Sequence, residues 1–247
     1  MKFNTMLLSR KLFARFFFGA LFGHTRRRKR IAHKWLSGDG IEIGALHNPL
    51  PTNHKTHVTY VDRMDSEALL RHYPKLSGRS FVPVNIVADG ELLSSINDMS
   101  QDFVIANHLL EHCIDPIGAL KTWLRVLKFG GIAYMAVPDK RFTFDYKRAA
   151  TTWNHFLDDS RNTDEHSHKA HYIDWIKNVM KKPEEESDGV LAHLLKRQYS
   201  IHFHTWTAIT LHEFFRNCRT DLGFPFSICE FKKNGNELIA VLKKEPT

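Results

Sequence analysis

Short apolar runs and amphipathic stretches alternate along most of this chain. Ile41-Glu42-Ile43, Val58-Thr59-Tyr60-Val61, Pro83–Val87, Phe103–Ala106 and Ile132–Val137 each end within two residues of a polar or turn-forming residue. Runs of this kind predict buried strands of a parallel sheet. Between them, Ser66–His72 and Ile117–Leu127 predict helices, the second with Leu120, Leu124 and Leu127 on one face. Gly90–Ile96 predicts a brief helix, and Thr207–Cys218 a longer one with Ile209, Phe214 and Phe215 as core candidates. Phe226–Phe231 and Leu238–Leu242 read as strands separated by Asn234-Gly235, a strong hairpin signal. Five strands joined by crossovers, then a late antiparallel hairpin, imply an α/β fold: a doubly wound, mostly parallel sheet in three layers.

Four acidic or amide residues fall at the predicted strand ends: Glu42, Asp62, Asp89 and Asn107. Open α/β sheets bind ligands outside these carboxyl ends, and an acid after the second strand can accept hydrogen bonds from vicinal ribose hydroxyls. The 20-residue interval from Glu42 to Asp62 matches one strand–helix–strand step.

The run from Asp102 to Pro116, Phe103-Val104-Ile105-Ala106-Asn107-His108-Leu109-Leu110-Glu111-His112 at its centre, closely resembles the fourth-strand motif of class I S-adenosylmethionine (SAM) dependent methyltransferases. The element order resembles that family too, over roughly residues 35–138 and 206–243. The resemblance implies a Rossmann-like fold and SAM as cofactor. It casts Glu42 as the acid that orients the first loop, Gly44-Ala45, and reaches the methionine ammonium through water. Asp62, with Arg63 beside it, would hold the ribose, and Asp89-Gly90 the adenine. Asn107 and His108 would line the methionine end, with Leu109 and His112 nearby. One departure stands out: Leu46 and Asn48 occupy places where the family has glycine, leaving only Gly44. Dinucleotide enzymes need those glycines for close approach to a pyrophosphate, so the loss argues against a nicotinamide enzyme. SAM carries no phosphate, and Pro49 and Pro51 can stiffen the loop by fixing φ.

Charge changes the picture mainly at the N-terminus. Residues 1–40 hold ten Lys or Arg and one acid, so the rest of the chain is nearly neutral despite the net +8. Residues 1–34 therefore read as a basic, aromatic arm preceding a domain over 35–247. Phe16–Thr25 is the arm's longest uncharged stretch, too short to span a bilayer. Aromatic residues before the Arg26–Arg30 block suit an anionic membrane surface, or a helix on the domain's own surface followed by a solvated basic loop. Basic groups confined to one end argue against a nucleic-acid enzyme. Cys113, Cys218 and Cys229 lie far apart, which fits a reducing, cytoplasmic compartment.

Residues 140–205 exceed the minimal sheet and read as a substrate-side insertion rich in His and Trp, with a charged turn at Pro183–Asp188. A hydroxyl acceptor needs a base; His204, His202, Asp139 and His108 are the candidates. Arg141, Asp145, Arg148 and Trp206 are candidates for binding the acceptor, since aromatic platforms with polar neighbours suit a sugar. His166-x-His168-x2-His171 and His202-x-His204 have ligand-like spacing, but no cysteine is close and no metal is assigned. The stretch Pro138–Asp145 is similar to methyltransferase-like proteins of polysaccharide assembly. The expectation is a SAM-dependent O-methyltransferase of a sugar or glycan intermediate, peripheral on the inner membrane face. Its rivals are a non-catalytic methyltransferase-fold binding module and an RNA or protein methyltransferase.

Overall fold

The computed structural model describes residues 25–76, 78–162 and 165–246. The seven strands are β1 (Gly38–Ile43), β2 (Thr56–Asp62), β3 (Ile86–Val87), β4 (Gln101–Asn107), β5 (Leu127–Pro138), β6 (Phe226–Asn234) and β7 (Glu237–Lys244). They form one sheet in the order β3-β2-β1-β4-β5-β7-β6. β1 to β5 run parallel, with α2 (Ser66–His72) following β2, and β7 is antiparallel to both β5 and β6.

The period-two alternation of β4 explains the three layers. Val104 and Ala106 face a core completed by α3 (Pro116–Val126) and α7 (Ala208–Thr220), through Leu120, Trp123, Leu211 and Phe215. Phe103 and Ile105 face the opposite core, which is covered by Leu50 and by Ile31 and Ala32 of a helix over 25–35, here α1. Complete burial of one such side chain stabilises by about 1.5–3 kcal/mol. Asp115 caps α3 by accepting from the Gly118 N–H at 2.9 Å, with Pro116 in the first turn where its missing N–H costs nothing. A capping box between Thr207 and Thr210 starts α7.

Several local expectations are corrected. The β1–β2 crossover is a loop over 44–55, not a strand–helix–strand step. β3 is only Ile86–Val87, because Pro83 has no N–H and the Val84 N–H goes to the Ser66 hydroxyl at 3.0 Å. Gly90–Ile96 is a series of turns: Leu93 has φ +43°, and Arg125 satisfies the carbonyls of Leu92, Leu93 and Ile96. The hairpin turns at Gly235-Asn236, one residue late, with Gly235 at φ +65° and Asn234 paired with Glu237. Pro183 precedes a helix, not a charged turn.

The arm divides. Residues 1–24, including the aromatic stretch, lie outside the described residues. Arg26–Arg30 are helical in α1, with Arg28 buried on the sheet instead of in a solvated loop. Between β5 and α7 the chain builds α4 (Trp153–Arg161), α5 (Glu165–Trp175) and α6 (Glu184–Lys196). α5 and α6 share a small core that includes Tyr172, Ile176, Leu191, Leu194 and Phe203, whereas α4 packs through Phe156 on the main core.

Candidate active site

Parallel register puts the ends of β2, β1 and β4 side by side. The Gly44 N–H donates to the Val61 carbonyl at 2.9 Å, and the Ala88 N–H to the Asp62 carbonyl at 2.9 Å. A Cβ added at Gly90 would meet Ile43 at 2.8 Å and Leu109 at 3.5 Å, so the Asp89-Gly90 turn closes onto the same rim. The Gly90 carbonyl accepts from the Trp123 indole at 2.8 Å, which fixes that turn.

The first loop shows how the chain manages with one glycine. Gly44 has φ +68°, and nothing lies within 4 Å of the position its Cβ would take, leaving open space for a ligand. Leu46 also adopts a left-handed conformation, φ +49°, so the backbone keeps a turn that glycine usually provides. Both Glu42 oxygens accept from the Leu50 N–H, at 2.8 and 3.1 Å, and clamp the loop to β1. Burial pushes the Glu42 carboxyl up to about 7, against the opposing pull of the Leu50 N–H, Arg28 and the Asn107 amide.

Asp62 is nearly buried and accepts from the Arg63 N–H at 2.7 Å; burial raises its carboxyl above the ordinary range. Asp89 accepts from the Glu91 N–H at 2.7 Å and shapes its own turn. Glu42, Gly44, Asp62, Asp89, Gly90, Asn107 and Leu109 thus share one rim, with Ala45 on the same loop. Arg63 departs from the expected set: its guanidinium meets the His72 ring at 2.9 Å. His112 departs as well, with Nδ1 at 2.7 Å from the Ile201 carbonyl in the insertion. Burial pulls the His112 imidazole down to about 4, so it is neutral near pH 7.

Beside the rim lies a chain of alternating charges that the sequence reading missed. Arg28 of α1 donates to Glu237 at 2.8 Å through Nε, and again through Nη2. Glu237 meets His108 Nε2 at 2.9 Å, and His108 Nδ1 faces Glu111 at 3.3 Å. Burial alone would lower His108, but Glu111 and Glu237 outweigh it and raise the imidazole to about 9. Burial alone would raise Glu237, yet Arg28 and His108 bring it down to about 2. His108 is therefore a cation held at φ +50°, not a base ready to accept a proton. Only the tertiary approach of β7 and α1 reveals this; Arg28 looks like any residue of its basic block.

On the acceptor side, packing reassigns most candidates. Asp139 is fully buried, and Arg141 occupies its carboxylate through Nε at 2.9 Å and Nη2 at 2.6 Å. That removes Asp139 as a base and ties the Arg141 guanidinium down. Trp206 is fully buried and stacked on Phe156 at 5.4 Å, so it is core and not a sugar platform. His204 is fully buried too; burial, then the neighbouring His171, holds its imidazole neutral and out of reach of an acceptor. Arg148 is spent on Asp145 (2.9 Å), Asp174 (2.6 Å) and the carbonyls of His202 (2.7 Å) and Phe203 (3.1 Å). Neither Asp145 nor Arg148 is free to bind an acceptor; both position His202. The His202 ring, half-buried, places Nδ1 2.6 Å from Asp145 Oδ2 and packs on Phe144 at 4.6 Å. Phe142, Phe144 and Tyr146 are exposed by 51, 48 and 54 %, so the exposed aromatic faces here are theirs and not that of the buried Trp206.

A family model described as a methyltransferase domain matches residues 37–135. No curated protein matches at a significant level. Among solved structures, a chain of the complex between the Haloferax volcanii Trm112 methyltransferase activator and a methyltransferase superposes with a TM-score of 0.51 at 13 % identity, covering 91 % of this chain and 90 % of that one. A SAM-dependent methyltransferase from Thermotoga maritima gives 0.49 at 16 % identity, covering 95 and 96 %. One from Methanosarcina mazei gives 0.47 at 17 %, covering 88 and 98 %. The strand order is that of a Rossmann-like methyltransferase fold, and the methyltransferase-domain match over residues 37–135, together with the open glycine loop and the carboxylates on adjoining strand ends, supports a SAM-dependent methyltransferase.

Proposed function

We propose that this protein is an O-methyltransferase acting on a hydroxyl of a sugar or glycan intermediate, with His202 as general base. The observation that carries the reading is the Asp145–His202 pair, 2.6 Å apart, below the exposed ring of Phe144. A buried carboxylate on Nδ1 fixes the tautomer and leaves the Nε2 lone pair for a proton. Arg148 keeps Asp145 ionised: burial would raise that carboxyl, but His202 and Arg148 together hold it low.

Asp62 and Asp89 hold the nucleoside end of SAM in this reading, and Glu42 and Asn107 the amino-acid end. The cofactor supplies a methyl group made electrophilic by the adjacent sulfonium. His202 would accept the proton that the acceptor hydroxyl gives up on methylation. Positioning supplies much of the rate, so the exposed rings of Phe142, Phe144 and Tyr146 matter as much as the base. Their flat faces suit the apolar faces of a pyranose. A lipid-carried acceptor at the inner membrane face is the context we favour, from the basic and aromatic residues at the N-terminus. Among the described residues no helix is long and apolar enough to cross a membrane.

The test incubates full-length protein with methyl-labelled SAM and extracts of host glycans, lipids, RNA and protein. The expected product is a glycan fraction heavier by one methylene, with the label stable to amide hydrolysis and released as an O-methyl sugar. Label confined to RNA or protein overturns the acceptor assignment.

A further inference from the structure

We propose that His155, Asp159, His171 and His204 form a binding site for a divalent transition metal of the zinc class, which ties the insertion to the sheet. Sequence spacing gives no hint of this set. His166-x-His168-x2-His171 looks more like a ligand run, but the fold instead joins residues from three separate segments. His155 and Asp159 stand one turn apart on α4, His171 is on α5, and His204 is in the segment leading to α7. One ligand atom from each lies within 4.8 Å of all the others.

The geometry fits an ion better than hydrogen bonds alone. Tetrahedral zinc with bonds of about 2.0–2.1 Å places its ligand atoms roughly 3.3 Å apart. From Asp159 Oδ2, the Nε2 atoms of His155 and His171 lie at 3.2 and 3.3 Å. Charge-assisted N–H···O bonds are shorter, about 2.7–2.9 Å. Two imidazole nitrogens thus stand at coordination spacing from one carboxylate oxygen, each slightly too distant to bond it well, and the His204 ring completes the group.

The surroundings point the same way. His171 Nδ1 donates to the Phe203 carbonyl at 3.0 Å, which leaves Nε2 as the lone-pair nitrogen. An outer hydrogen bond of this kind orients most metal-binding histidines. His204 Nε2 lies 3.2 Å from the Ile114 carbonyl, and its Nδ1 is buried with no hydrogen-bond partner, so this ring holds a ligating nitrogen in reserve. Imidazole and carboxylate suit zinc, cobalt and nickel. Asp159, His171 and His204 are buried, while the His155 side chain is 45 % exposed and gives an ion a way in. Four protein ligands close the site, so its role is structural. The bound ion would join α4 and α5 to the segment that carries His202. The rim group Glu111, His112 and His202 also clusters. It is a weaker candidate, because Glu111 already faces His108 and His112 Nδ1 meets the Ile201 carbonyl.

The experiment uses full-length protein stripped with chelator and titrated with Co2+ or Zn2+. Elemental analysis should find one equivalent retained, Co2+ should give the visible absorption of a tetrahedral nitrogen–oxygen site, and Zn2+ should raise the melting temperature. His155→Ala, at an exposed position that leaves the fold intact, should weaken metal affinity about tenfold or more. His171→Ala should abolish the cobalt spectrum, and His202→Asn should leave it unchanged. Failure to retain stoichiometric metal overturns the proposal. So does a cobalt spectrum that survives both His155→Ala and His171→Ala, or one that is lost in His202→Asn.

Discussion

The two halves of this molecule use polar residues in opposite ways. On the β1–β4 side, carboxylates and amides sit where the strands end and stay at the rim, because parallel register leaves them no other place. In the insertion, Asp145, Arg148, Asp159, His171 and His204 turn inward and hold helices together. A polar residue at a strand end is thus evidence of a ligand site, whereas the same residue type in an added helical layer first serves that layer's own assembly. His202 is the exception: inward partners hold it, yet its side chain keeps some exposure beside the exposed ring of Phe144.

The sharpest way to break this contrast is His202→Asn. Turnover should fall by about 10²–10⁴ with SAM affinity unchanged in calorimetry; retained turnover would leave the acceptor side without its base. Arg148→Ala should cost about 3–5 kcal/mol in urea unfolding, because it strands the buried Asp145 carboxylate. An acceptor-binding role would instead raise KM and leave stability alone.

Between the two halves lies the Arg28–Glu237–His108 chain, which pH should expose. Glu237 drops from an ordinary value near 4.5 to about 2, so its contribution is present above pH 4.5 and lost as pH falls toward 2. That contribution is on the order of 3 kcal/mol, and Glu237→Gln should flatten the acid limb of the stability profile. His108 acts with the opposite sign: its contribution is present below pH 6.5 and fades as pH rises through about 9. The smallest effect belongs to the rim. Asp62→Ala should cost SAM binding about 1.5–3 kcal/mol, the worth of hydrogen bonds to a charged group, with the melting temperature unmoved. A large drop in melting temperature would show that this carboxylate, too, serves the fold.

The same contrast explains what could be read from the residues. Phe103–Ala106 and the Leu120–Leu124 face of α3 are local patterns that appear in place, and the late hairpin appears with its turn one residue along. Glu42, Asp62, Asp89 and Asn107 were legible because strand ends fix direction as well as position. Trp206 and His204 were misread as pocket residues because their burial depends on Phe156, which lies about fifty residues away in sequence. Arg28 was hidden among like charges, and Glu237 among turn residues. Nothing local distinguishes a guanidinium that will meet a carboxylate 209 positions later.

That long-range pairing has a practical edge. Sequence alone invites a truncation at residue 34, just past the basic block. Such a cut removes Arg28, Ile31 and Ala32, uncovers one face of the sheet and leaves Glu237 without its guanidinium partner. Loss of activity or of ligand capture in that shortened protein would say nothing about what the leading segment touches. A boundary at residue 24 separates the two questions, since it spares α1 and everything α1 props up.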